Sequence, residues 1–331
     1  MCDALTLGEI RETALAIQPY VRTTPVFSMS GEEVAPPLGA EATVTFKLEL
    51  LQRTGTFKIR GALSNMLRLS AEQRRRGVTA VSAGNHAIAV AYAASILGIS
   101  AKVVMLPTAT PIRVAAAKAS GAEVIIAESG PAAFDLANRV ASEEGRVFVH
   151  PFEGKYTALG TATLGLEFAE QAPQLDALIV AIGGGGLAAG VSSAFKLLQP
   201  ACRIYGVEPA GADTMHRSFA ANAPQRIERT TTIADSLAPP MALPYSFALC
   251  RANVDELVKV VDEQMCRAMA FLFTHLKLCV EPGGAAALAA LREPLSAGLA
   301  GKRVGVIVCG SNIDSEGFGR YVRVGEGKEH L

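Results

Sequence analysis

Four consecutive glycines (Gly183, Gly184, Gly185 and Gly186) form the loop in this sequence that most clearly suggests chemistry. They follow the apolar run 177–182 and precede an apolar helical pattern that starts at Leu187. Residues without a Cβ let successive backbone N–H groups turn towards one point, and the N-terminus of a helix adds positive potential. This glycine loop therefore predicts an anion cradle, most naturally for a phosphate.

Two alternatives to the phosphate cradle remain open at this point. A plain tight turn is the structural one. A dinucleotide-binding loop is the functional one, although its G-x-G-x-x-G spacing fits only if Ala188 takes the place of the last glycine. Glu208 does lie about twenty residues further on, where such a loop has an acidic residue.

A lysine between two apolar residues is the second feature. Lys58 lies between Phe57 and Ile59, at the start of a predicted helix. Apolar surroundings and a helix N-terminus both disfavour the ammonium form, which lowers the pKa of the amine. A lowered pKa suits Schiff-base chemistry. Taken alone, the ordinary alternative is a solvated lysine at a helix start.

The third feature is a strand-to-helix turn of small, hydroxyl and amide side chains. Its free N–H donors predict a site for a substrate carboxylate. The alternative is an ordinary N-cap by Ser82 or Asn85, with His86 as a structural hydrogen-bonding group. We call this turn the substrate loop, and its residues are Ser82, Ala83, Gly84, Asn85 and His86.

The elements that must position these groups alternate between strand and helix. A capping box at Thr6 predicts an opening helix that ends near Pro19. The predicted strands cover 42–50, 78–82, 101–106, 123–127, 147–150, 177–182, 203–207, 258–261 and 303–309. The predicted helices cover 85–97, 111–120, 132–143, 163–171, 187–198, 263–276 and 284–291. This alternation indicates an α/β fold with mainly parallel sheets, and 331 residues favour two lobes with a ligand in the crevice between them.

Composition excludes several functions. Lysine plus arginine equals aspartate plus glutamate at 31 each, and the one basic run, 74–76, indicates a solvated helix end, so we expect no nucleic-acid partner. No apolar run approaches the ~20 residues of a membrane span, and no secretory leader pattern opens the chain. We therefore expect no membrane partner and a cytoplasmic location. Six scattered cysteines without CxxC spacing predict free, mostly buried thiols.

Four motifs follow one another over nearly the whole chain, namely TFKIRGA at 56–62, SAGNHA at 82–87, GGGGL at 183–187 and VCGSN at 308–312. In this order and combination the sequence resembles the threonine/serine dehydratase and serine racemase family of fold-type-II enzymes, which depend on pyridoxal 5'-phosphate (PLP). The resemblance implies two open, twisted α/β lobes like those of the tryptophan synthase β chain. It implies a large cofactor-binding domain of residues 1–54 and 151–331, a small domain of residues 55–150, and a homodimer or homotetramer.

The resemblance also implies the roles of individual residues. Lys58 would form the internal aldimine and the glycine loop would bind the phosphate, with Phe57 and Leu187 beside the cofactor. Asn85 would lie beside the phenolic oxygen and Glu281 near the ring. The substrate loop would surround the carboxylate of an amino acid substrate, with Ser236 in the same pocket. Cys309 falls where the family has a serine or cysteine against the pyridine nitrogen.

A thiol at the pyridine nitrogen has a chemical consequence. It offers only a weak hydrogen bond, so the nitrogen should stay largely unprotonated and β-elimination should be favoured over transamination. The implied reaction has Lys58 remove the Cα proton while the β-hydroxyl leaves as water, with a proton donated by the cofactor phosphate or a nearby acid. The product then hydrolyses to a 2-oxo acid and ammonia. We therefore expect an ammonia-lyase acting on L-threonine or L-serine.

Three departures from the family pattern bear on the substrate. Ala83 replaces the serine with which racemases protonate the opposite face, Ser236 replaces a more usual glycine, and Phe152 replaces a polar residue. A larger β-substituent, as in 3-hydroxyaspartate or an aromatic serine, therefore stays open. A PLP β-replacement enzyme is the nearest rival, and a non-catalytic phosphate- or nucleotide-binding module is the rival from another class. Because the chain ends at Leu331, we expect no regulatory domain and no isoleucine feedback.

The stretch after the strand at 203–207 resembles the family's cation loop. Glu208, the Ala212 carbonyl and Thr214 would supply oxygen ligands for Mg²⁺ or a monovalent cation. Some relatives have a carboxylate where Thr214 lies. A solvated acidic loop is the alternative.

Overall fold

The computed structural model describes residues 3–331, which form two β-sheets. The larger sheet has the strand order β1-β2-β10-β7-β8-β9 and the smaller has β5-β4-β3-β6. β1 pairs antiparallel with β2, and every other pairing among these strands is parallel. The strands are β1 Val26–Ser30, β2 Thr43–Lys47, β3 Val78–Ser82, β4 Ala101–Met105, β5 Glu123–Ile126, β6 Val147–Phe148, β7 Ala177–Ala181, β8 Arg203–Pro209, β9 Glu256–Val260 and β10 Arg303–Ile307.

Helices cover both sheets, and the α/β class with two mainly parallel lobes is confirmed. We call the parts built on the larger and smaller sheets the six-stranded and four-stranded lobes; the domain limits given above stay a prediction. The helices are α1 Leu7–Ile17, α2 Gly31–Val34, α3 Lys58–Met66, α4 Ala71–Arg76, α5 Asn85–Ile96, α6 Pro111–Ala119, α7 Gly130–Glu144, α8 Lys155–Gln171, α9 Gly186–Leu198, α10 Thr214–Ala221, α11 Pro244–Asn253, α12 Asp262–Leu276, α13 Pro282–Arg292 and α14 Ser315–Gly325.

Two helices lie in the core because they are apolar on all sides. α13 is buried at every position from Pro282 to Leu291 and packs against β7, β8, β9 and β10. α5 is alanine-rich and buried over most of its length, between β3, β4, α3 and α6. A helix without a polar face is stable only where other elements cover it completely. These two helices therefore hold their N-terminal residues in fixed positions.

Most predicted elements are present, and the differences have local causes. The strand predicted over 42–50 ends at Lys47, where a 3₁₀ turn begins at Glu49. α8 starts at Lys155 instead of residue 163, because close packing against α9 stabilises a glycine- and threonine-rich stretch of low helix propensity. β1 was not predicted, since an edge strand with partly exposed residues on both faces lacks an alternating pattern.

Parallel pairing brings the functional loops to one place. The substrate loop follows β3, the glycine loop follows β7, and residues 308–312 follow β10. The carboxyl ends of parallel strands lie on one edge of a sheet, and ligands of such folds bind there. α3, which begins at Lys58, packs against α8 on one side and α5 on the other, so it lies between the lobes.

None of the helices in residues 3–331 is long and apolar enough to cross a bilayer. Cys202, Cys250, Cys266 and Cys309 are free and buried, as predicted, whereas Cys279 is free and exposed. Cys2 lies outside the described residues.

Candidate active site

A cavity of about 380 Å³ lies between the two lobes. Every residue for which the sequence predicts a cofactor or substrate contact lines it. These residues are Phe57, Lys58, Ser82, Ala83, Gly84, Asn85, His86, Gly183, Gly184, Gly185, Gly186, Leu187, Ser236, Glu281 and Cys309. A larger groove of about 790 Å³ lies at the opposite, amino ends of β7, β8 and β10, and none of these residues lines it.

Lys58 points into the cavity from the first position of α3. Its Nζ donates a hydrogen bond to the Pro151 carbonyl at 2.5 Å. The residue as a whole is half-buried because part of it faces the cavity, but its amine lies deep among protein atoms. This burial lowers the pKa of Lys58 to about 8, and the nearby Glu281 carboxylate counteracts it in part. An amine with this pKa has a substantial neutral fraction near neutral pH, as carbonyl chemistry requires.

The glycine loop has the geometry of an anion cradle. Gly185 has a φ of +93°, in the left-handed region that favours glycine, and no described side chain caps α9. A Cβ on Gly184 would overlap the Phe152 ring. A Cβ on Gly186 would meet the Phe152 backbone at 2.6 Å. The loop therefore presents bare backbone N–H groups at a helix N-terminus, which suits a phosphate.

Cys309 and Glu281 provide the polar groups at another side of the cavity. Burial raises the pKa of the Cys309 thiol to about 12, so this residue is a neutral, weak donor. Burial also raises the pKa of Glu281 to about 7, with Arg113 acting in the opposite direction. The Asn85 amide donates one N–H to Glu281 at 2.7 Å and has a second N–H to offer. Lys58, the glycine loop, a neutral thiol and an amide donor are a set of groups that fits PLP.

The backbone donors at the start of α5, in the substrate loop, have no side-chain cap. Neither Ser82 nor Asn85 caps α5, because the Ser82 hydroxyl accepts instead from the Gly84 N–H at 3.0 Å. The His86 Nε2 donates to the Val149 carbonyl at 2.8 Å. Burial, with Lys58 as a further cause, lowers the pKa of His86 to about 3, so the imidazole is neutral. The N-terminus of α5 is therefore free to accept a carboxylate.

Sequence reasoning missed two charged residues of the cavity, Arg113 and Asp235. Arg113, on α6, pairs with Asp235 and reaches Glu281 at 3.5 Å. Its Nε also donates to the Asn312 carbonyl at 2.9 Å. In the sequence Arg113 is one arginine on an amphipathic helix, and no local signal separates it from a surface residue.

The predicted cation ligands lie away from the cavity, after β8. Glu208 accepts hydrogen bonds from the backbone N–H groups of Met215 and His216, at 2.7 and 2.8 Å. It also contacts His216 Nδ1 at 2.6 Å. A cation would have to compete with these donors for the carboxylate, and the described residues contain no cluster of three or more acidic, histidine or cysteine ligands. The cation site stays a prediction.

Comparison with known proteins identifies the family. Residues 17–310 match the family described as "Pyridoxal-phosphate dependent enzyme". The chain belongs to this family. Members of this family use PLP, which is also the cofactor that the cavity fits, so the protein is PLP-dependent. The family resemblance predicted from the four motifs is therefore confirmed.

Individual relatives within the family cover nearly the whole chain. The chain is 56% identical to phenylserine dehydratase from Ralstonia pickettii over 98% of its own length and 99% of the relative's. It is 37% identical to L-threonine ammonia-lyase from Thermotoga maritima, covering 97% of this chain and 79% of that one. The structure of maize serine racemase superimposes with a TM-score of 0.89 at 36% identity, covering 96% of this chain and 97% of that one.

Proposed function

We propose that the protein dehydrates and deaminates β-hydroxy amino acids, with a preference for an apolar, above all aromatic, β-substituent. The products are a 2-oxo acid and ammonia. The protein is a PLP-dependent carbon–oxygen lyase of the hydroxy-amino-acid dehydratase type. Phenylserine dehydratase at 56% identity supports the aromatic preference, and L-threonine and L-serine, expected from the sequence, remain substrates of the same reaction.

The shape and polarity of the cavity wall carry the proposal. Beyond the cofactor-binding residues, the wall includes Leu106 and Phe134 from the four-stranded lobe and Leu237, Pro239 and Met241 from the six-stranded lobe. A phenyl or methyl substituent would bury apolar surface against these side chains, which favours binding by about 25 cal/mol per Å².

The charges of the cavity disfavour an anionic substituent. Among the described lining residues the cationic side chains are Lys58 and Arg113. Arg113 is already neutralised by Asp235 and Glu281. A second carboxylate, as in 3-hydroxyaspartate, would find no unpaired cation there, and burying it would cost several kcal/mol.

Each described group has a task in this reaction. Bound PLP withdraws electrons from the substrate carbon to which the amino group is attached and so acidifies its C–H bond. The amine of Lys58 accepts that proton because burial keeps part of it neutral. The free N–H groups at the start of α5 hold the substrate carboxylate. The Cys309 thiol is protonated at neutral pH and would leave the pyridine nitrogen of a bound cofactor without a charged partner.

A substrate panel tests the proposal. We expect 2-oxo acid release from phenylserine, L-threonine and L-serine, with the highest kcat/KM for phenylserine and the lowest for 3-hydroxyaspartate. Adding a thiol nucleophile should leave the products unchanged, which separates elimination from β-replacement. A kcat/KM for 3-hydroxyaspartate above that for phenylserine would contradict the proposed preference.

The resemblance also supports a homodimer or homotetramer in the cytoplasm. Light scattering of the purified holoenzyme should give two or four chains per particle. Fractionation of the producing cells should recover the activity with the cytoplasm.

A further inference from the structure

The guanidinium of Arg113 crosses the cleft between the two lobes. Arg113 belongs to α6 of the four-stranded lobe, whereas its partners Asp235, Glu281 and Asn312 belong to the six-stranded lobe. All three nitrogens of the head group are used, two on carboxylates and one on a backbone carbonyl. A planar guanidinium suits such a multidentate arrangement, and a lysine in its place would satisfy one partner at a time.

This contact joins the sheet of the four-stranded lobe to the six-stranded lobe by ion pairs. Among the described residues, the ion pairs that join residues 78–148 to the rest of the chain are those of Arg113. The uncharged Asn85 amide adds two hydrogen bonds: it donates to Glu281 at 2.7 Å and accepts from the Asn312 amide at 2.8 Å. Two side chains of the four-stranded lobe therefore meet the same two residues of the other lobe.

The stem of Arg113 supports the substrate loop. A Cβ on Gly84 would overlap the Arg113 side chain, so the backbone of the loop lies directly on it. A movement of the guanidinium towards or away from Asp235 would therefore displace residues 82–86. No other side chain is among the nearest neighbours of that Gly84 position.

The partners of Arg113 differ in their burial. The Glu281 side chain is 3% exposed and that of Arg113 is 7% exposed, but that of Asp235 is 42% exposed. Water can therefore replace Arg113 at Asp235 without unfolding either lobe. An ion pair with one hydrated partner is weaker than a fully buried pair, which makes it suitable for repeated opening.

The geometry points to Arg113 as a latch that closes the cleft and sets the position of the substrate loop. Arg113 is a positioning residue in this role: it acts through the loop and makes no step of the chemistry. The inference goes beyond the proposed function, because it does not depend on which hydroxy amino acid is the substrate.

Hydrogen–deuterium exchange of the holoenzyme tests the latch without turnover. In Arg113→Met the apolar stem still packs on Gly84 while the ion pairs are lost. Amides of residues 82–88, 111–119 and 235–241 should exchange about tenfold faster, since they open with the cleft. Lys102→Met is the matched control, because Lys102 pairs with Glu123 and Glu144 inside the four-stranded lobe. The control should leave these segments unchanged.

Kinetics then separate a latch from general damage. Loss of the latch should raise KM for the amino acid by about tenfold or more, with a smaller change in kcat. Loss of folded protein would instead lower kcat and leave KM unchanged. Arg113→Lys should recover part of the KM effect. In a double-mutant cycle, Asp235→Asn should add little to Arg113→Met, because both remove the same contact.

Unchanged exchange in Arg113→Met, or additive KM effects in the cycle, would overturn the inference. If Arg113→Met does not fold, Asp235→Asn serves as the test variant. The Asp235 side chain is partly exposed, and Glu281 remains as a partner for the Arg113 guanidinium. Faster exchange in a protein that turns over none of the tested amino acids would support the latch while contradicting the proposed function.

Discussion

Burial is the main cause of the unusual protonation states of the candidate site. It lowers the pKa of Lys58 to about 8 and that of His86 to about 3, and it raises that of Cys309 to about 12. All three shifts favour the neutral form, which a cavity of low polarity stabilises. Near neutral pH the site therefore contains a neutral imidazole, a protonated thiol and an amine that is readily deprotonated.

Lys58 is predicted to carry the cofactor covalently. Borohydride reduction followed by peptide mapping should locate the pyridoxyl group on Lys58. Lys47 is the informative alternative, since it is fully buried but bound to Glu167 and Gln171 outside the cavity. Lys58→Ala should lower kcat by about 10³-fold or more with an unchanged circular dichroism spectrum. A label on Lys47 would contradict the assignment.

The pH dependence of cofactor attachment should reveal the lowered pKa of Lys58. The neutral amine attacks the PLP aldehyde, so reconstitution of the apoprotein should accelerate as pH rises and level off above about 8. An ordinary lysine would level off only above about 10.4. Near-visible absorbance follows the reaction. Glu281→Gln should move the inflection to lower pH, because Glu281 raises the pKa of Lys58. A rate that still climbs steeply at pH 10 would refute the shift.

Ala83 predicts elimination without racemisation. Racemisation needs an acid on one face of the substrate and a base on the other, and a methyl group supplies neither. L-Serine should yield pyruvate with little D-serine, as measured by chiral chromatography, and Ala83→Ser should gain some racemase activity. D-Serine formation by the native protein at the rate of pyruvate formation would mean that another residue donates the proton.

At the level of elements, the site depends on two buried helices whose N-termini have no side-chain cap. α5 and α9 both start at the carboxyl end of a strand and both leave N–H groups facing the cavity. Capping side chains there would satisfy those donors and stabilise each helix by about 1 kcal/mol. A ligand anion takes the place of the cap, which links cofactor and substrate binding to helix stability.

Gly184→Asp tests the α9 cradle. The new side chain would overlap Phe152 and repel the phosphate, so the Kd for PLP should rise by about a hundredfold or more. Gly298→Asp is a suitable control, because a Cβ at Gly298 meets nothing within 4 Å. Fluorescence titration of the apoproteins measures both affinities. Equal PLP affinity in the two variants would exclude the glycine loop as the phosphate site.

At the level of the whole molecule, a buried ion network stabilises the junction that holds α3. Arg60, two residues after Lys58, pairs with Glu49 at 2.6 Å and with Glu167 at 3.0 Å. Lys47 pairs with Glu167 at 2.5 Å. Burial lowers the pKa of Lys47, and the Glu167 carboxylate counteracts this effect. The buried charges therefore depend on one another, and the network keeps them only while all its members are present.

Removal of Arg60 should therefore destabilise the fold. Arg60→Met leaves the Glu49 carboxylate, which is fully buried, without its cation, and should cost about 3–5 kcal/mol of unfolding free energy. Arg203→Met removes an exposed pair with Glu256 and should cost less than about 1 kcal/mol. Urea denaturation of the two apoproteins measures the difference. Equal costs would show that the network contributes no more than a surface pair.

The sequence by itself predicted the fold class, the cofactor and many of the residues that line the cavity. Alternating apolar strands and helices predicted the parallel sheets, and the glycine loop and the substrate loop were recognisable because each depends on residue types at adjacent positions. These are local signals. The chemical properties of a turn without Cβ atoms, or of a lysine at a helix start, depend on neighbouring residues and not on how the rest of the chain folds. The order of the four motifs, and their spread over nearly the whole chain, then indicated the family.

Only the tertiary structure decided which distant residues meet. Asp235 lies 122 positions after Arg113 along the chain, and Glu281 lies 168 positions after it. No local sequence pattern can therefore relate the three residues. The same holds for Arg60 and Glu167, 107 positions apart. The extended start of α8 was also missed, because packing against α9 outweighs its poor helix propensity. Contacts between lobes depend on how two sheets are oriented in space, and that orientation is a property of the packed core rather than of any one segment.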